Sequence, residues 1–418
     1  MTFKKLLTDQ AQAALRSELA RNNASMDAQL AVQPKEVRFC KKCVVSNQRP
    51  RIVFDEDGVC SACRYAEYKH GQVDWAARSR ELETLLDRYR SKDGSYDVIV
   101  PCSGGKDSSM TAHRLKHDFG MHPLTVTWAP FLPTDIGRRN MQSFVQSGFD
   151  NITCAPDGII HRKLARLCFD LLGDAWQPFA YGQLNFAMNL AAKFGINLVF
   201  FGENGEAEYG GSTKSNDKPC FHWDDWEEVY LKGALVDRMI ERGIKLGVID
   251  ESERHDVSPF YRLPPLDELR ARDVQFHWFG YYHKWVPQEN FYYASEHTGF
   301  EANPGRSEGT YSKYASLDDQ LDGFHYYLAF IKFGIGRTTS DAAHEVRDGH
   351  LTRDEAVELV RRFDGEFPAR YFDVFKDYID ITEEDFHRVL DAYRPDHLWE
   401  RQGNGWALKH SVWQPDMA

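Results

Sequence analysis

Two stretches of this 418-residue sequence carry residue types and spacings able to handle a phosphate and a cation. The first is Ser103-Gly104-Gly105-Lys106-Asp107-Ser108, which follows the strand-like run Tyr96-Asp97-Val98-Ile99-Val100 and precedes a helix-like run from Ser109. Two glycines let the backbone turn tightly against an anion, and a helix N-terminus offers unpaired N–H groups at the positive end of its dipole. Ser103 and Ser108 add hydroxyl donors and Lys106 a cation. This is a phosphate-binding loop, but its spacing is neither that of Walker A nor that of the dinucleotide fingerprint.

The second stretch, Gly202-Glu203-Asn204-Gly205-Glu206-Ala207-Glu208-Tyr209-Gly210-Gly211, follows the buried-strand run Ile196 to Phe201. In isolation it reads as a solvated acidic loop. Opposite a phosphate loop it suits magnesium, a hard cation that bridges phosphates through one or two carboxylates.

A third cluster is built for a metal. Cys40-Lys41-Lys42-Cys43 and Cys60-Ser61-Ala62-Cys63 are two CxxC knuckles sixteen residues apart. Each places two thiolates on one side of a tight turn, and four complete a tetrahedron, the zinc-ribbon pattern. Between them Arg51-Ile52-Val53-Phe54 and Asp55-Glu56-Asp57-Gly58 read as a strand and turn that fold one knuckle onto the other. Structural zinc is the expected occupant, with an iron–sulfur cluster as the competitor. Four protein ligands leave zinc no open position for substrate. Cys102, Cys154, Cys168 and Cys220 read as ordinary thiols.

These groups need a scaffold. Residues 1–33 carry a weak helical pattern and read as a peripheral helix and tail, and 34–72 as the cysteine module. In 73–215, after a helix over 74–92, strands at 96–102, 123–129, 150–154 and 196–201 alternate with helices at 107–119, 136–148, 159–172 and 181–194. That order predicts an α/β, doubly wound, mostly parallel sheet. Its ligands would sit beyond the carboxyl ends of the strands, where the Ser103 loop, the segment after Trp128 and the Gly202 segment share a rim. Residues 216–300 are aromatic-rich and irregular, with Phe221-His222-Trp223 and Phe276 to Trp285. Such clusters close cores or stack on sugars and bases; His283 and Lys284 are the candidates for substrate contact. Residues 301–395 form a helical subdomain, with a loop at Asn303–Ser312, a helix at 317–333, and four further segments, one opened by the capping box Thr352-Arg353-Asp354-Glu355. Lys332-Phe333-Gly334-Ile335-Gly336-Arg337 sets two cations around a helix break and could reach an anion. Residues 396–418, with Trp399, Trp406 and Trp413, read as a strap.

The net charge of −12 and pI near 5.7 argue against a broad nucleic-acid or membrane surface. No apolar run reaches the length of a spanning helix and no signal-peptide core is present, so a cytoplasmic protein is expected.

Together the knuckles, the Cys102–Ser108 loop, Gly202–Gly211, Gly309-Thr310-Tyr311-Ser312 and Lys332–Arg337 resemble the bacterial N-acetyl sugar amidotransferases, over roughly residues 36 to 395. The loop itself resembles the SGGxDS loop of the ATP pyrophosphatases. The resemblance implies the PP-loop fold, of the adenine nucleotide alpha hydrolase-like type. It also implies conversion of an acetamido group on a nucleotide-linked sugar, often a uronic acid of surface polysaccharide such as the O-antigen, to an acetamidino group. ATP would adenylate the amide oxygen, releasing pyrophosphate, and ammonia would displace AMP. In this picture Ser103, Gly104, Gly105, Lys106, Asp107, Ser108, Trp128 and Gly202 bind ATP, and Asp107 and Glu206 hold Mg²⁺. Glu203 is a metal ligand or base, and Tyr311, Lys332 and Arg337 join His283 and Lys284 at the substrate. Residue 2 is Thr, so the amino-terminal cysteine of asparagine synthetases is lacking. The resemblance implies ammonia from a separate glutaminase with a cyclase-like partner. The alternatives are a tRNA-thiolating or lysidine-forming ATP pyrophosphatase, disfavoured by the acidic charge, and a non-enzymatic zinc-ribbon scaffold.

Overall fold

The computed structural model describes residues 3–20, 26–220, 223, 226, 231 and 233–414. A first helix, α1 (Asp9–Leu19), is followed by α2 (Ser61–Gly71) and α3 (Trp75–Tyr89). Then β1 (Val98–Pro101), α4 (Lys106–His117), β2 (Pro123–Trp128), α5 (Asp135–Gln146) and β3 (Asp150–Cys154) alternate. A helix pair, α6 (Gly158–Leu172) and α7 (Gln177–Phe194), leads to β4 (Leu198–Phe201) and the short α8 (Gly205–Tyr209). Beyond α9 (Val236–Lys245) come β5 (Gln275–Trp278) and α10 (Pro287–Thr298), the latter packed along α4. Helices α11 (Asp322–Phe333), α12 (Arg337–Arg347), α13 (Arg353–Phe363), α14 (Phe372–Ile379) and α15 (Glu383–Ala392) precede a hairpin of β6 (Trp399–Gln402) and β7 (Gly405–Leu408).

Among the described residues the main sheet has five strands in the order β3-β2-β1-β4-β5, with every neighbouring pair parallel. Successive strand residues point to opposite faces, and here both faces are buried. Val98, Val100, Leu198 and Phe200 enter one core with Leu82, Leu85 and Leu86 of α3 and Met110, Ala112 and Leu115 of α4. Ile99, Val199, Leu124 and Val126 enter the other, with residues of α6 and α7. Each such aliphatic side chain contributes about 1.5–3 kcal/mol through burial. The chain builds outward from β1 to β3, then returns to the other side of β1 with β4. The connections leaving β1 and β4 therefore diverge, and a crevice opens between their carboxyl ends.

The alternating region folds as expected, with β3 on the residues anticipated and the helices within a few residues of theirs. Other stretches differ. The fifth strand, Gln275-Phe276-His277-Trp278, lies in the stretch read as irregular, because three of its four residues are buried and no polar alternation marks it. Arg51–Phe54 is not a strand; the cysteine module holds only the bridges Phe39–Ser46 and Phe54–Cys60. The helix expected from 317 starts at Asp322 because Asp319 turns the chain first, accepting from Leu321 N–H at 2.9 Å and from Phe131 N–H. Nor is α1 peripheral: Ala11, Leu15 and Leu19 are buried in the main core, and Arg16 donates to Asp385 at 2.8 and 3.0 Å. Phe221 and His222 lie outside the described residues. Among the described residues no helix is long and apolar enough to cross a membrane.

Candidate active site

The Ser103 loop leaves β1 and turns at Gly104, whose φ is +76°. A Cβ there would lie 2.6 Å from Cα of Met141, so glycine is required both by the dihedral and by the passage of α5. Gly105 is the N-cap of α4 and supplies no side-chain cap, leaving the first-turn N–H groups directed at the crevice. Lys106 contacts Asp107, whose other oxygen accepts from Asn290 Nδ2 at 3.0 Å. Ser103 is hydrogen-bonded to the buried carboxyl of Asp318, which burial and then the charge of Asp322 raise to about 6.

Across the crevice the three glutamates after β4 have three different fates. Glu203 is enclosed beside Asp107, and burial, then that negative charge, pushes its carboxyl up to about 7. Glu206 is held by Arg51, from Nη2 at 2.6 Å and Nε at 2.9 Å, and also accepts from Ser212 N–H at 2.6 Å. Glu208 is buried between Lys69 Nζ at 2.8 Å and His344 Nε2 at 3.0 Å. Burial opposes its charge, but Lys69 and His344 outweigh that and hold it below the usual carboxylate range. Of the three, Glu203 is the carboxylate on which the charge of Asp107 acts, while Glu206 is engaged by a guanidinium and a backbone amide.

Two cavities meet at this point. The first, about 510 Å³, runs beneath β1, β2 and β4 and is walled by Val126, Trp128, Phe179, Phe186, Phe201 and Trp278. The second, about 590 Å³, lies between the sheet rim, the cysteine module and α11–α12, and is charged, with Arg49, Arg51, Lys106 and Arg337 among its walls. Ser103, Asp107 and Glu203 line both. The first chamber has apolar walls suited to an aromatic base, whereas the second mixes cations with the carboxylates of Asp174, Glu206, Asp318, Asp322 and Asp341, and the phosphate loop stands at the junction.

The other expected residues fall in several places. Gly202 lines the first chamber; a Cβ there would meet the Trp285 ring at 2.7 Å. Trp128 lines it too, with its indole Nε1 unpartnered among the described residues. One ring face is covered by α7, where only Gly182 fits, since a Cβ would come within 2.0 Å of the ring. Arg337 borders the second chamber with Nε 2.9 Å from Asp341; burial works against its charge, but Asp341 and Tyr326 more than restore it. Lys332 also borders that chamber, yet its ammonium is tied to Asp27 at 2.8 Å and to the Leu172 carbonyl at 2.9 Å. The expected substrate contacts His283, Lys284 and Tyr311 line neither chamber. His283 lies near Arg114 of α4, and burial, then that cation, lowers it to about 4. Tyr311 packs against the core of the cysteine module, so its ring serves that interface.

Residues that sequence reasoning missed are Arg49, Arg51, Asp174, Asp318 and His325. All five border the second chamber, but each comes from an element distant in sequence from the phosphate loop. No local motif marks them.

Cys40, Cys43, Cys60 and Cys63 are buried with their sulfurs within 4.8 Å of one another, a donor set that could hold a structural zinc ion. The N–H groups of Lys42, Cys43 and Cys60 point at Cys40 Sγ, at 3.4, 3.5 and 3.3 Å. The module is part of the body of the protein: its cysteines and Val44, Val45 and Val59 share a core with Phe333, Ile335, Ala342, Ala343 and Val360.

Those last residues lie in a recognisable region. Residues 308–412 match the family model described as LPS biosynthesis protein WbpG-like, C-terminal domain. The carboxyl-terminal part of the chain is therefore similar to the WbpG-like C-terminal domain. The match spans α11–α15 and the hairpin and contributes Asp318, Asp322 and Arg337 to the second chamber. It supports the resemblance to the N-acetyl sugar amidotransferases, and the family it describes is one of lipopolysaccharide biosynthesis. No curated protein matches the chain.

Proposed function

We propose that this protein is an ATP-dependent amidotransferase that converts an acetamido group of a nucleotide-activated sugar to an acetamidino group, serving lipopolysaccharide biosynthesis. The observation that carries the reading is the junction of two chambers of opposite character at Ser103, Asp107 and Glu203. An amide oxygen is a poor leaving group, so ammonia cannot displace it at a useful rate. Transfer of AMP to that oxygen breaks the α–β phosphate bond and releases pyrophosphate. Ammonia then adds to the imidate-like carbon, loses a proton, and AMP departs with the former amide oxygen.

The residues support each requirement. Adenosine fits the apolar chamber and the acceptor sugar the charged one, so the α-phosphate and the amide oxygen meet at the shared wall. The free N–H groups at the start of α4 and the hydroxyls of Ser103 and Ser108 hold the outgoing pyrophosphate, and Lys106 offsets its charge. Asp107 and Glu203, two carboxylates that share a confined space, would hold Mg²⁺; the ion would neutralise phosphate charge when bound. If Glu203 is left off the metal, its carboxylate is instead placed to take the proton from attacking ammonia. Positioning and charge stabilisation suffice, without a covalent enzyme nucleophile. The four cysteines would hold zinc in a purely structural role. We assign the ammonia supply to a separate glutaminase acting with a cyclase-like partner.

Pyrophosphate–ATP exchange tests the first half-reaction. Exchange that appears only with an acetamido nucleotide sugar supports the proposal; exchange that depends on tRNA, or none with any acceptor, contradicts it.

A further inference from the structure

The second chamber contains more cations than the phosphate loop needs, and all but one have a carboxylate partner. Lys106 has Asp107, Arg51 has Glu206, Lys332 has Asp27 and Arg337 has Asp341. Arg49 has none among the described residues. Its Nε donates to the Gly210 carbonyl at 2.6 Å, and its guanidinium lies 5.7 Å from the centre of the Tyr209 ring. Its two Nη groups carry no hydrogen bond among the described residues, although the residue borders the cavity.

Arg49 feels the charge of Glu206, but that carboxylate is bonded to Arg51, so its guanidinium lacks a carboxylate of its own, which is costly where it is enclosed. Arg49-Pro50-Arg51 lies between the two cysteine knuckles, with Arg49 N–H on the Ser46 carbonyl at 3.3 Å and Ile52 N–H on the Arg49 carbonyl at 3.2 Å. Arg51 adopts a φ of +66°, a strained conformation for a non-glycine residue, and is fixed by its paired bonds to Glu206. The cysteine module thus projects a planar, two-pronged donor into the chamber opposite the phosphate loop. Such a fork matches a carboxylate or phosphate group.

We infer that Arg49 is the anion-binding residue of the acceptor site, pairing with a carboxylate or diphosphate oxygen of the nucleotide sugar. This rests on the reading of the acceptor as a nucleotide sugar. It gives the cysteine module a role in substrate choice, because the module's fold sets where the guanidinium sits.

The test is calorimetric titration of the zinc-loaded full chain with UDP, with UDP-N-acetylglucosaminuronate and with ATP, for wild type, Arg49→Gln and Arg49→Lys. The expected result is that R49Q weakens uronate binding by about tenfold to a hundredfold, the worth of one charge-assisted pair, while ATP binding and zinc content are unchanged. R49K should lie between, since it keeps the charge and loses the fork. A loss shared with UDP assigns the contact to the diphosphate; a loss confined to the uronate assigns it to the carboxylate. Equal binding of UDP and of the uronate by wild type and R49Q, or by wild type and R49K should R49Q fail to fold, overturns the inference and leaves the proposed function standing. A wild-type chain that binds ATP but neither UDP compound overturns the substrate reading and the inference with it.

Discussion

Arg51 grips Glu206 through two hydrogen bonds of 2.6 and 2.9 Å, joining the loop between the cysteine knuckles to the helix that follows β4. This pair fixes one wall of the second chamber and, under the proposed function, leaves Glu203 for the chemistry. Glu206→Gln should leave the magnesium requirement of the reaction unchanged, whereas Glu203→Gln should slow the reaction sharply. Titration of the rate with Mg²⁺ checks this; a sharply raised requirement in E206Q would return the metal to Glu206. In a double-mutant cycle of Arg51→Ala and Glu206→Gln, chemical denaturation should show a coupling of about 1–3 kcal/mol.

The Glu203 carboxyl gives a pH signature. Burial and then Asp107 raise it from 4.5 to about 7, so the folded chain retains a proton that the unfolded chain has already released. For the chain without metal, stability contributed by this group is complete below the unfolded value and falls as pH rises from 4.5 through about 7. Glu203→Gln should be relatively more stable than wild type at alkaline pH and show no such gain at acid pH. In turnover, E203Q should lower the rate by about 10²–10⁴ if the group acts as base. A rate within a few-fold of wild type would exclude Glu203 from the proton transfer.

A buried charge network ties the cysteine module to the carboxyl-terminal helices behind the site. Glu208 accepts from Lys69 and His344, His344 Nδ1 lies 2.9 Å from Asp348, and Arg347 donates to the Glu208 carbonyl at 2.9 Å. Glu208→Ala removes one of two carboxylates from Lys69 and His344, which keep Asp348 at 3.6 and 2.9 Å, and should cost about 1–3 kcal/mol in urea unfolding. A loss well below that would mean that the network contributes little. Burial opposes the charge of His344, but Asp348 and Glu208 raise its pKa above the ordinary 6.5. Its contribution is therefore full below 6.5 and lost as pH rises through the folded value, and His344→Gln should flatten stability on the alkaline side.

Metal analysis should find zinc bound by the four-cysteine site. Cys43→Ser or a strong chelator should lower the thermal midpoint of the whole chain, because the module shares its core with α12 and α13. Acceptor affinity should fall with it, since Arg49 and Arg51 are carried between the knuckles. Visible absorption and bound iron would instead identify an iron–sulfur cluster.

The phosphate loop and the paired cysteine knuckles were legible because each concentrates its chemistry within a few residues, and the α/β alternation because buried strands and amphipathic helices have distinct periods. What escaped depends on distant partners. Nothing local distinguishes Glu203 from Glu206; the difference is made by Arg51, 155 residues from Glu206. Lys332 could be read as a ligand contact until Asp27, 305 residues away, was found beneath it. β5 was hidden because an aromatic strand buried on both faces lacks alternation, and His283 because an aromatic–histidine cluster looks alike in a core and in a sugar site.

The most direct test of the proposed reaction follows the acetamido oxygen. An acetamido nucleotide sugar labelled with heavy oxygen in its amide carbonyl is incubated with the protein, ATP, Mg²⁺ and ammonium, and the products are analysed by mass spectrometry. The account predicts an acetamidino sugar lighter than the labelled substrate by the difference between heavy oxygen and NH, pyrophosphate in equal amount, and the heavy oxygen in the phosphate of AMP. ATP cleaved to ADP and phosphate, or AMP formed without the label, would contradict it.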